Sequence, residues 1–322
     1  LASHPSGGFV ARGLASQPIL DVTAGLSQSV KLLLQQPDVM WLTPVEAGIR
    51  GTQSGSANLV AVAVPANWTQ TDAPLVEVIS TPQGLNARTR DGFALAAAAT
   101  PRFIPGDRVD ARAVLSGTER AVYFVGGLRA GAPTGEIWRY DLDRSEWTHV
   151  LQPSNDIGPD DAPPPSSHRA LPGRVLALGY QDVSGKLVAV DEQVGKGTGP
   201  LSKLKVARLL VFDFKTNTSR VALTVPRLGV FDDIRLVARE TGTFVLVAVR
   251  RAAKKWIAFE FAVKPDNKIQ WLSRAQGSGL VLDDPINTTD GVVMPVAIAG
   301  AHDFITLDKS LFHPWPWGCS EL

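Results

Sequence analysis

Short apolar runs rich in β-branched residues recur along the chain from Asn58 onward, and turn residues separate them. Runs of this kind predict β-strands. They occupy residues 59–64, 75–79, 121–125, 174–178, 186–190, 208–214, 244–249, 257–263 and 292–299. No amphipathic helix of ordinary length is predicted between them. Many short strands with turn signals favour an all-β fold, namely a sandwich, a barrel or a propeller.

Residues 1–57 have a different texture, rich in Gly, Ser, Ala and Pro. One short helix is predicted over 27–36, where Val30, Leu33 and Leu34 share a face, and Pro37 ends it. The expected organisation is an irregular N-terminal segment at 1–57, a repeat region at 58–310 and a Trp/Pro-rich tail at 311–322. Because the chain begins at Leu1 without an initiator Met, we expect a processed product or a piece of a larger polypeptide.

The composition excludes several classes of protein. The chain has 322 residues, of which 44% are hydrophobic, with a formal net charge of +1 and one cysteine, Cys319. An apolar fraction of this size argues against a disordered chain, and the balanced charge argues against a nucleic-acid-binding protein. A single cysteine excludes an intrachain disulfide and a Cys-rich zinc site. The longest apolar runs are far shorter than the ~20 residues that span a bilayer.

Among the three all-β architectures, a propeller predicts internal repeats of ~40–50 residues. The clearest unit is an apolar strand that ends in the pair Gly126-Gly127, followed by Tyr140-Asp141 and then by Trp147. This unit resembles the kelch repeat. The resemblance implies four-stranded blades, in which the glycine pair lets adjacent strands approach closely and the Tyr and Trp fill the wedge between blades.

Weaker copies of the unit follow along the chain. Gly179-Tyr180 replaces the glycine pair, Phe212-Asp213 keeps the aromatic-Asp step, and Trp271 ends a third copy, with a last one at 292–308. The resemblance covers roughly residues 100–310 and predicts an incomplete-looking kelch-like β-propeller. Further blades are expected from 58–98, another chain or a lost segment.

The copper-radical oxidases are the enzymes most closely tied to kelch propellers, so the resemblance requires that this activity be considered. Such enzymes need a Cys–Tyr crosslink and His ligands. Here Cys319 lies beyond the last repeat, and the three tyrosines lie at blade positions. This activity is therefore not expected.

Aspartate doublets precede the predicted first strands of the blades. They are Asp160-Asp161, Asp232-Asp233 and Asp283-Asp284. Propeller symmetry would bring these carboxylates to one face, where a ring of oxygens would bind calcium or a cationic partner. The alternative is that aspartate serves as an ordinary turn former between blades.

Two further sets of residues are candidates for binding. Arg112, Arg169 and Arg235 recur near predicted first strands, where they would bind an anionic sugar or pair with the aspartate doublets. Gly195 and Lys196 lie in a Gly-rich insertion that lacks the spacing of a phosphate-binding loop. That insertion is either a recognition loop or a solvated hairpin extension.

A cationic stretch lies between two predicted strands. It contains Arg250, Arg251, Lys254 and Lys255. Four such charges would hold a phosphate or an acidic neighbour, but a hairpin tip is also where polar residues are ordinarily found. The flanking sequence has no interleaved aromatic residues for stacking on bases.

These patterns favour one function and leave a second open. The favoured function is a non-enzymatic scaffold or recognition module of a secreted or surface bacterial protein, which binds a protein, another chain or a glycan through inter-strand loops. The alternative is a hydrolase or lyase that acts on an anionic glycan in the propeller funnel, with the aspartate doublets and arginines as its site. No cofactor is expected, apart from the calcium that the doublets would bind.

Overall fold

The structure is a computed structural model of the chain. It describes residues 26–28, 30–36, 39–44, 49–50, 56–63, 76–81, 84–89, 97–106, 108–151, 174–194, 205–214, 218–225, 231–282, 285–288, 291–298, 301–308 and 311–314. The tail residue Cys319 lies outside these ranges, as do Asp160, Asp161 and Arg169.

The N-terminal strands form one seven-stranded antiparallel sheet and a small hairpin. The strands are β1 (Leu26–Gln28), β2 (Val30–Gln35), β3 (Val39–Pro44), β4 (Ile49–Arg50), β5 (Ser56–Ala57), β6 (Leu59–Ala63), β7 (Val76–Thr81), β8 (Gly84–Thr89) and β9 (Ala97–Arg102). The order in the sheet is β1-β7-β8-β9-β6-β3-β2, and β4 pairs with β5.

The predicted helix at 27–36 is wrong, since β1 and β2 occupy these residues. β2 pairs antiparallel with β3, and Gln36 donates its backbone N–H to the carbonyl of Val39 at 2.8 Å. The chain therefore turns back between β2 and β3, and Pro37, predicted to end the helix, lies outside the described residues. An apolar run of this length fits either a helix or a strand, and strand pairing decides between them. β3 also pairs with β6, so one sheet joins strands on both sides of residue 57.

The rest of the chain forms further antiparallel sheets. The strands are β10 (Arg112–Ser116), β11 (Ala121–Val125), β12 (Leu128–Arg129), β13 (Ala132–Pro133), β14 (Ile137–Asp141), β15 (Glu146–Leu151), β16 (Arg174–Gln181), β17 (Lys186–Val194), β18 (Lys205–Asp213), β19 (Thr218–Val225), β20 (Asp233–Ala238), β21 (Thr243–Arg250), β22 (Lys255–Val263), β23 (Ile269–Ser278), β24 (Leu280–Val281), β25 (Ile286–Thr288), β26 (Gly291–Ile298), β27 (Ala301–Leu307) and β28 (His313–Pro314).

The sheets follow chain order. The first blade is β10-β11-β14-β15, the second blade is β16-β17-β18-β19, and the third blade is β20-β21-β22-β23, with β28 added at its edge. In a last sheet, β26 pairs with β24 and β25 and also with β27. The chain divides into two compact units, 1–115 with 127–132 and 116–126 with 133–322.

Sheets built from successive antiparallel strands are the blades of a β-propeller, which confirms the all-β propeller predicted from the strand pattern. The predicted hairpins between third and fourth strands are also found, since β14 pairs with β15 and β18 with β19. Within the described ranges, no helix has the length and apolar character needed to cross a bilayer.

The sequence of β21 is apolar at successive positions because both faces of the strand are buried. Phe244, Leu246 and Ala248 are buried in a core shared with the second blade, which contributes residues such as Val188 and Val211. The alternate residues Val245, Val247 and Val249 are buried in a second core with residues of β26 and β27. Successive side chains of a strand point to opposite faces, so both faces of the third blade are covered.

Two glycines lie at contacts between neighbouring blades. A Cβ on Gly126 would lie 2.8 Å from Cγ2 of Val175 in the second blade. A Cβ on Gly179 would lie 3.2 Å from Leu236 and 3.3 Å from Phe244 of the third blade. Gly126 of the predicted repeat unit and Gly179 of its first copy therefore allow the strands of neighbouring blades to approach.

Candidate functional site

Asp232 fixes the backbone at one end of the third blade. Its amide N–H donates to the carbonyl of Val249 at 2.9 Å, and its Oδ2 accepts the amide N–H of Arg251 at 2.7 Å. Arg251 begins the turn of residues 251–254 that joins β21 to β22, hereafter the β21–β22 turn. The first member of this aspartate doublet therefore anchors a turn.

Asp233 pairs with two arginines. Its Oδ2 accepts hydrogen bonds from Arg235 at 2.7 and 3.1 Å and from Arg251 at 3.1 Å. The Arg235 side chain is 13% exposed, whereas that of Arg251 is 60% exposed. Burial alone would raise the pKa of Asp233, but the two guanidinium groups outweigh burial and hold that pKa below its ordinary value.

Backbone contacts hold the β21–β22 turn from both sides. Lys254 donates its N–H to the carbonyl of Arg251 at 3.1 Å, and its own carbonyl accepts the N–H of Gly279 at 2.7 Å. Lys254 has a φ of 49°, in the left-handed region that a non-glycine residue adopts only at a cost. The turn thus has a defined conformation.

The same turn concentrates positive charge. Arg250, Arg251, Lys254 and Lys255 are all exposed. Arg250 and Lys255 are also direct cross-strand partners. Among the residues that the structure describes, no carboxylate pairs with Arg250, Lys254 or Lys255, whereas Arg251 is held by Asp233.

Of the predicted site residues, the structure brings together Asp232, Asp233 and Arg235. Arg112 lies in β10. The others lie outside the described residues: Asp160, Asp161, Arg169, Gly195, Lys196, Asp283 and Asp284. Within the described ranges no three His, Cys, Asp or Glu side chains are grouped as metal ligands would be, and calcium binding stays a prediction.

A cluster around Glu119 was not predicted. Its Oε2 accepts the hydroxyl of Tyr123 at 2.5 Å, and its Oε1 accepts the hydroxyl of Tyr180 at 2.5 Å. Arg139 approaches the same carboxylate at 3.4 Å. The Tyr123 ring stacks on both Tyr180 and Phe214, with centroid distances of 5.1 and 4.7 Å. One carboxylate and three stacked rings thus join the first and second blades.

The phenols of this cluster act as hydrogen-bond donors. Burial, followed by the hydrogen bond to Glu119, raises the pKa of both Tyr123 and Tyr180 well above the ordinary value. A phenol with a raised pKa is a poor general base near neutral pH, so the arrangement favours a structural role. A tyrosine within an apolar strand signals that its hydroxyl needs a partner, but it does not identify a residue 61 positions away.

Asp182 adds a second contact between the same blades. Its Oδ1 accepts the hydroxyls of Ser116 and Thr118, both at 2.8 Å. The backbone N–H groups of Gly117 and Thr118 also donate to this carboxylate, both at 3.2 Å. The side chain therefore fixes the turn between β10 and β11.

Lys186 is buried between the second and third blades, with 6% of the residue exposed. Its Nζ donates to Oδ1 of Asn267 at 2.6 Å and to the backbone carbonyl of Lys264 at 2.8 Å, and it lies 3.5 Å from the carbonyl of Pro265. The Asp213 carboxylate lies 3.7 Å away. An ammonium ion thus fills a cage of oxygen atoms contributed by both blades.

No protein-family model matches the chain, and no curated protein matches it. Among solved structures, the chain is similar to the crystal structure of Porphyromonas gingivalis dipeptidyl peptidase 4, with 10% sequence identity and a TM-score of 0.39. The match covers 96% of this chain and 47% of the other, so the chain spans about half the length of that protein. At this level of similarity the fold assignment rests on strand pairing alone.

Proposed function

We propose that this chain is a non-enzymatic scaffold and recognition module with kelch-like blades, and that it binds a protein or glycan partner through loops between strands. We further propose that it belongs to a secreted or surface bacterial protein. The supporting observation is the distribution of ion pairs among the described residues. Asp191 pairs with Arg208, and Glu260 pairs with Arg239 at 2.8 Å. These pairs hold together strands of the same blade. Arg250, Lys254 and Lys255, by contrast, have no carboxylate partner among the described residues and lie at an inter-strand turn.

An enzyme acting on an anionic glycan would need carboxylates and arginines that face the substrate. Asp233 is instead hydrogen-bonded to Arg235 and Arg251. Glu260 likewise accepts hydrogen bonds from Thr243 and Ser273, both at 2.9 Å. Groups engaged in this way favour binding over turnover.

The sequence insertion at 195–204 offers a direct test of recognition through loops. Val194 and Lys205 are cross-strand partners at its base, so the sequence Asn-Gly in place of 195–204 would close the hairpin in the same register. A second variant with the ten residues of 195–204 in scrambled order keeps the length of the loop.

Binding and turnover should be measured on the same samples, with a glycan array and with polygalacturonate, alginate, hyaluronan and heparin in solution. We expect saturable binding without new reducing ends or unsaturated uronates, and weaker binding in both loop variants. Formation of cleavage products would show an enzyme. Unchanged binding in both variants would exclude this loop as the recognition element.

A further inference from the structure

The two ends of β22 carry cations in different environments. At one end, Lys268 pairs with Asp266 at 2.9 Å. At the other, Arg250, Lys254 and Lys255 have no carboxylate partner among the described residues. The carboxylates of Asp232 and Asp233 are already engaged with Arg251 and Arg235. The β21–β22 turn therefore presents a local excess of positive charge.

This excess has an energetic cost in the isolated chain. Arg250 and Lys255 face each other directly in the β21–β22 ladder. Like charges in directly opposite positions destabilise a strand pair. A hairpin end needs polar residues but not four cations, and only Arg251 of the four pairs with a carboxylate among the described residues. An anionic ligand bound at the turn would relieve the repulsion.

The turn is also held in place before any ligand binds. The Asp232 carboxylate accepts a hydrogen bond from the backbone N–H of Arg251, and the backbone N–H of Gly279 donates to the carbonyl of Lys254. The Arg251 guanidinium is oriented by Asp233. Because a preorganised site loses less conformational freedom on binding, fixed backbone and oriented charge both favour a ligand.

The residues around the cations indicate the class of ligand. Ala252 and Ala253 are the exposed apolar residues of the turn, while Val249 and Trp256 beside it are buried. Hot spots of protein interfaces combine arginine with aromatic side chains in packed pockets, and single-stranded nucleic acids are bound by stacking on aromatic rings. The described residues of the turn include arginine but no exposed aromatic side chain. An acidic polysaccharide needs only spaced cations for its carboxylate or sulfate groups.

We propose that the β21–β22 turn binds an acidic polysaccharide, with Arg250, Lys254 and Lys255 contacting its anionic groups. Arg251, fixed by Asp233, adds an oriented guanidinium at the same end of the hairpin. The inference rests on the proposed function, because it names the partner class and one of the loops that bind it.

The test compares two pairs of substitutions, one at each end of β22. Lys254→Gln with Lys255→Gln alters the turn, and Lys264→Gln with Lys268→Gln makes the same change of net charge at the other end of β22. Affinities for heparin, polygalacturonate and neutral dextran are measured by isothermal titration at two salt concentrations. We expect the first pair to weaken heparin or polygalacturonate binding roughly tenfold, from two lost charge contacts. The second pair should change it less than about twofold. Lys254→Arg with Lys255→Arg should retain binding.

Several results would overturn the inference. These are no binding of the wild-type chain to either acidic polysaccharide, an equal loss in both pairs, or equally tight binding of oligo-dT or polyglutamate. Binding that survives the change at the turn but is lost in the 195–204 variants would support the proposed function and overturn this site. Cleavage of the polysaccharide would overturn the proposed function, while the comparison of the two pairs would still decide the site.

Discussion

The ammonium of Lys186 lies 2.6 Å from Oδ1 of Asn267, and these two residues belong to neighbouring blades. Asn267 lies in the turn between β22 and β23, with a φ of 61°. Asparagine tolerates this left-handed conformation better than most residues. The contact therefore combines a turn-forming residue of the third blade with a buried charge of the second.

We predict that Lys186→Met lowers the free energy of unfolding by about 2–4 kcal/mol, because Asp213 and the carbonyl oxygens would lose their buried cation. Chemical denaturation measures the change. Lys268→Met is the control, since the Lys268 side chain is 61% exposed and its loss should cost less than about 0.5 kcal/mol. Equal effects in the two variants would contradict the assigned role of Lys186.

Alkaline pH should weaken the cluster around Glu119. The folded-state pKa of Tyr123 and Tyr180 is raised above the ordinary value of 10.0, so their contribution to stability is full below pH 10 and falls as pH rises above it. We expect tyrosinate absorbance from these phenols to appear together with unfolding, as monitored by circular dichroism. Tyr180→Phe should make stability less dependent on pH in this range. Ionisation of both phenols in the folded chain would contradict the prediction.

Acidic pH should weaken the pairing of Asp233 with its arginines. The folded-state pKa of Asp233 is lowered, so its contribution to stability is present above the unfolded value of 3.8 and is lost as pH falls through the folded-state pKa. We predict that Asp233→Asn lowers the free energy of unfolding at neutral pH. The further decrease of that free energy as the pH is lowered should then be smaller than in the wild-type chain. Urea denaturation at a series of pH values measures both effects. The control is Asp303→Asn at an exposed position, which should lower stability at neutral pH less than Asp233→Asn does.

Gly277 provides the space for a buried indole. A Cβ on Gly277 would lie 2.7 Å from Cε2 of Trp256, its cross-strand partner. We predict that Gly277→Ala lowers the free energy of unfolding by about 1–3 kcal/mol, because Trp256 must shift within a packed core. Trp fluorescence and denaturation report the change, and Ser278→Ala is the control at an exposed position. In a Trp256→Leu background the same substitution should cost less, and an equal cost there would contradict the steric explanation.

Calcium binding by the aspartate doublets predicts a lower melting temperature after chelation. Because Asp232 and Asp233 already bind Arg251 and Arg235, we expect Asp232→Asn with Asp233→Asn to leave any effect of chelation unchanged. Such an effect would then be assigned to the other two doublets. A melting temperature that chelation does not alter would exclude calcium at all three.

The strands could be predicted because their signal is local. The predicted strand at 121–125 coincides with β11, and the one at 244–249 lies within β21. The predicted helix over 27–36 is wrong because the spacing of its apolar residues fits the period of a helix as well as that of a strand, and the pairing of β2 with β3 is a non-local contact. The contacts of Glu119 and Lys186 could not be predicted for the same reason. Glu119 and Tyr180 are far apart in sequence, and a lysine such as Lys186 is ordinarily predicted to be exposed.

The burial of β21 on both faces determines which parts of the molecule unfold together. Since Phe244 and Val245 belong to different cores, the third blade has no hydrophobic interior of its own. Separated from its neighbours, it would expose both faces to water, and a lone antiparallel sheet of this size with two apolar faces is prone to aggregate. The second blade, the third blade and the sheet around β26 should therefore unfold as one cooperative block, and the boundaries between blades are not the boundaries between units of stability.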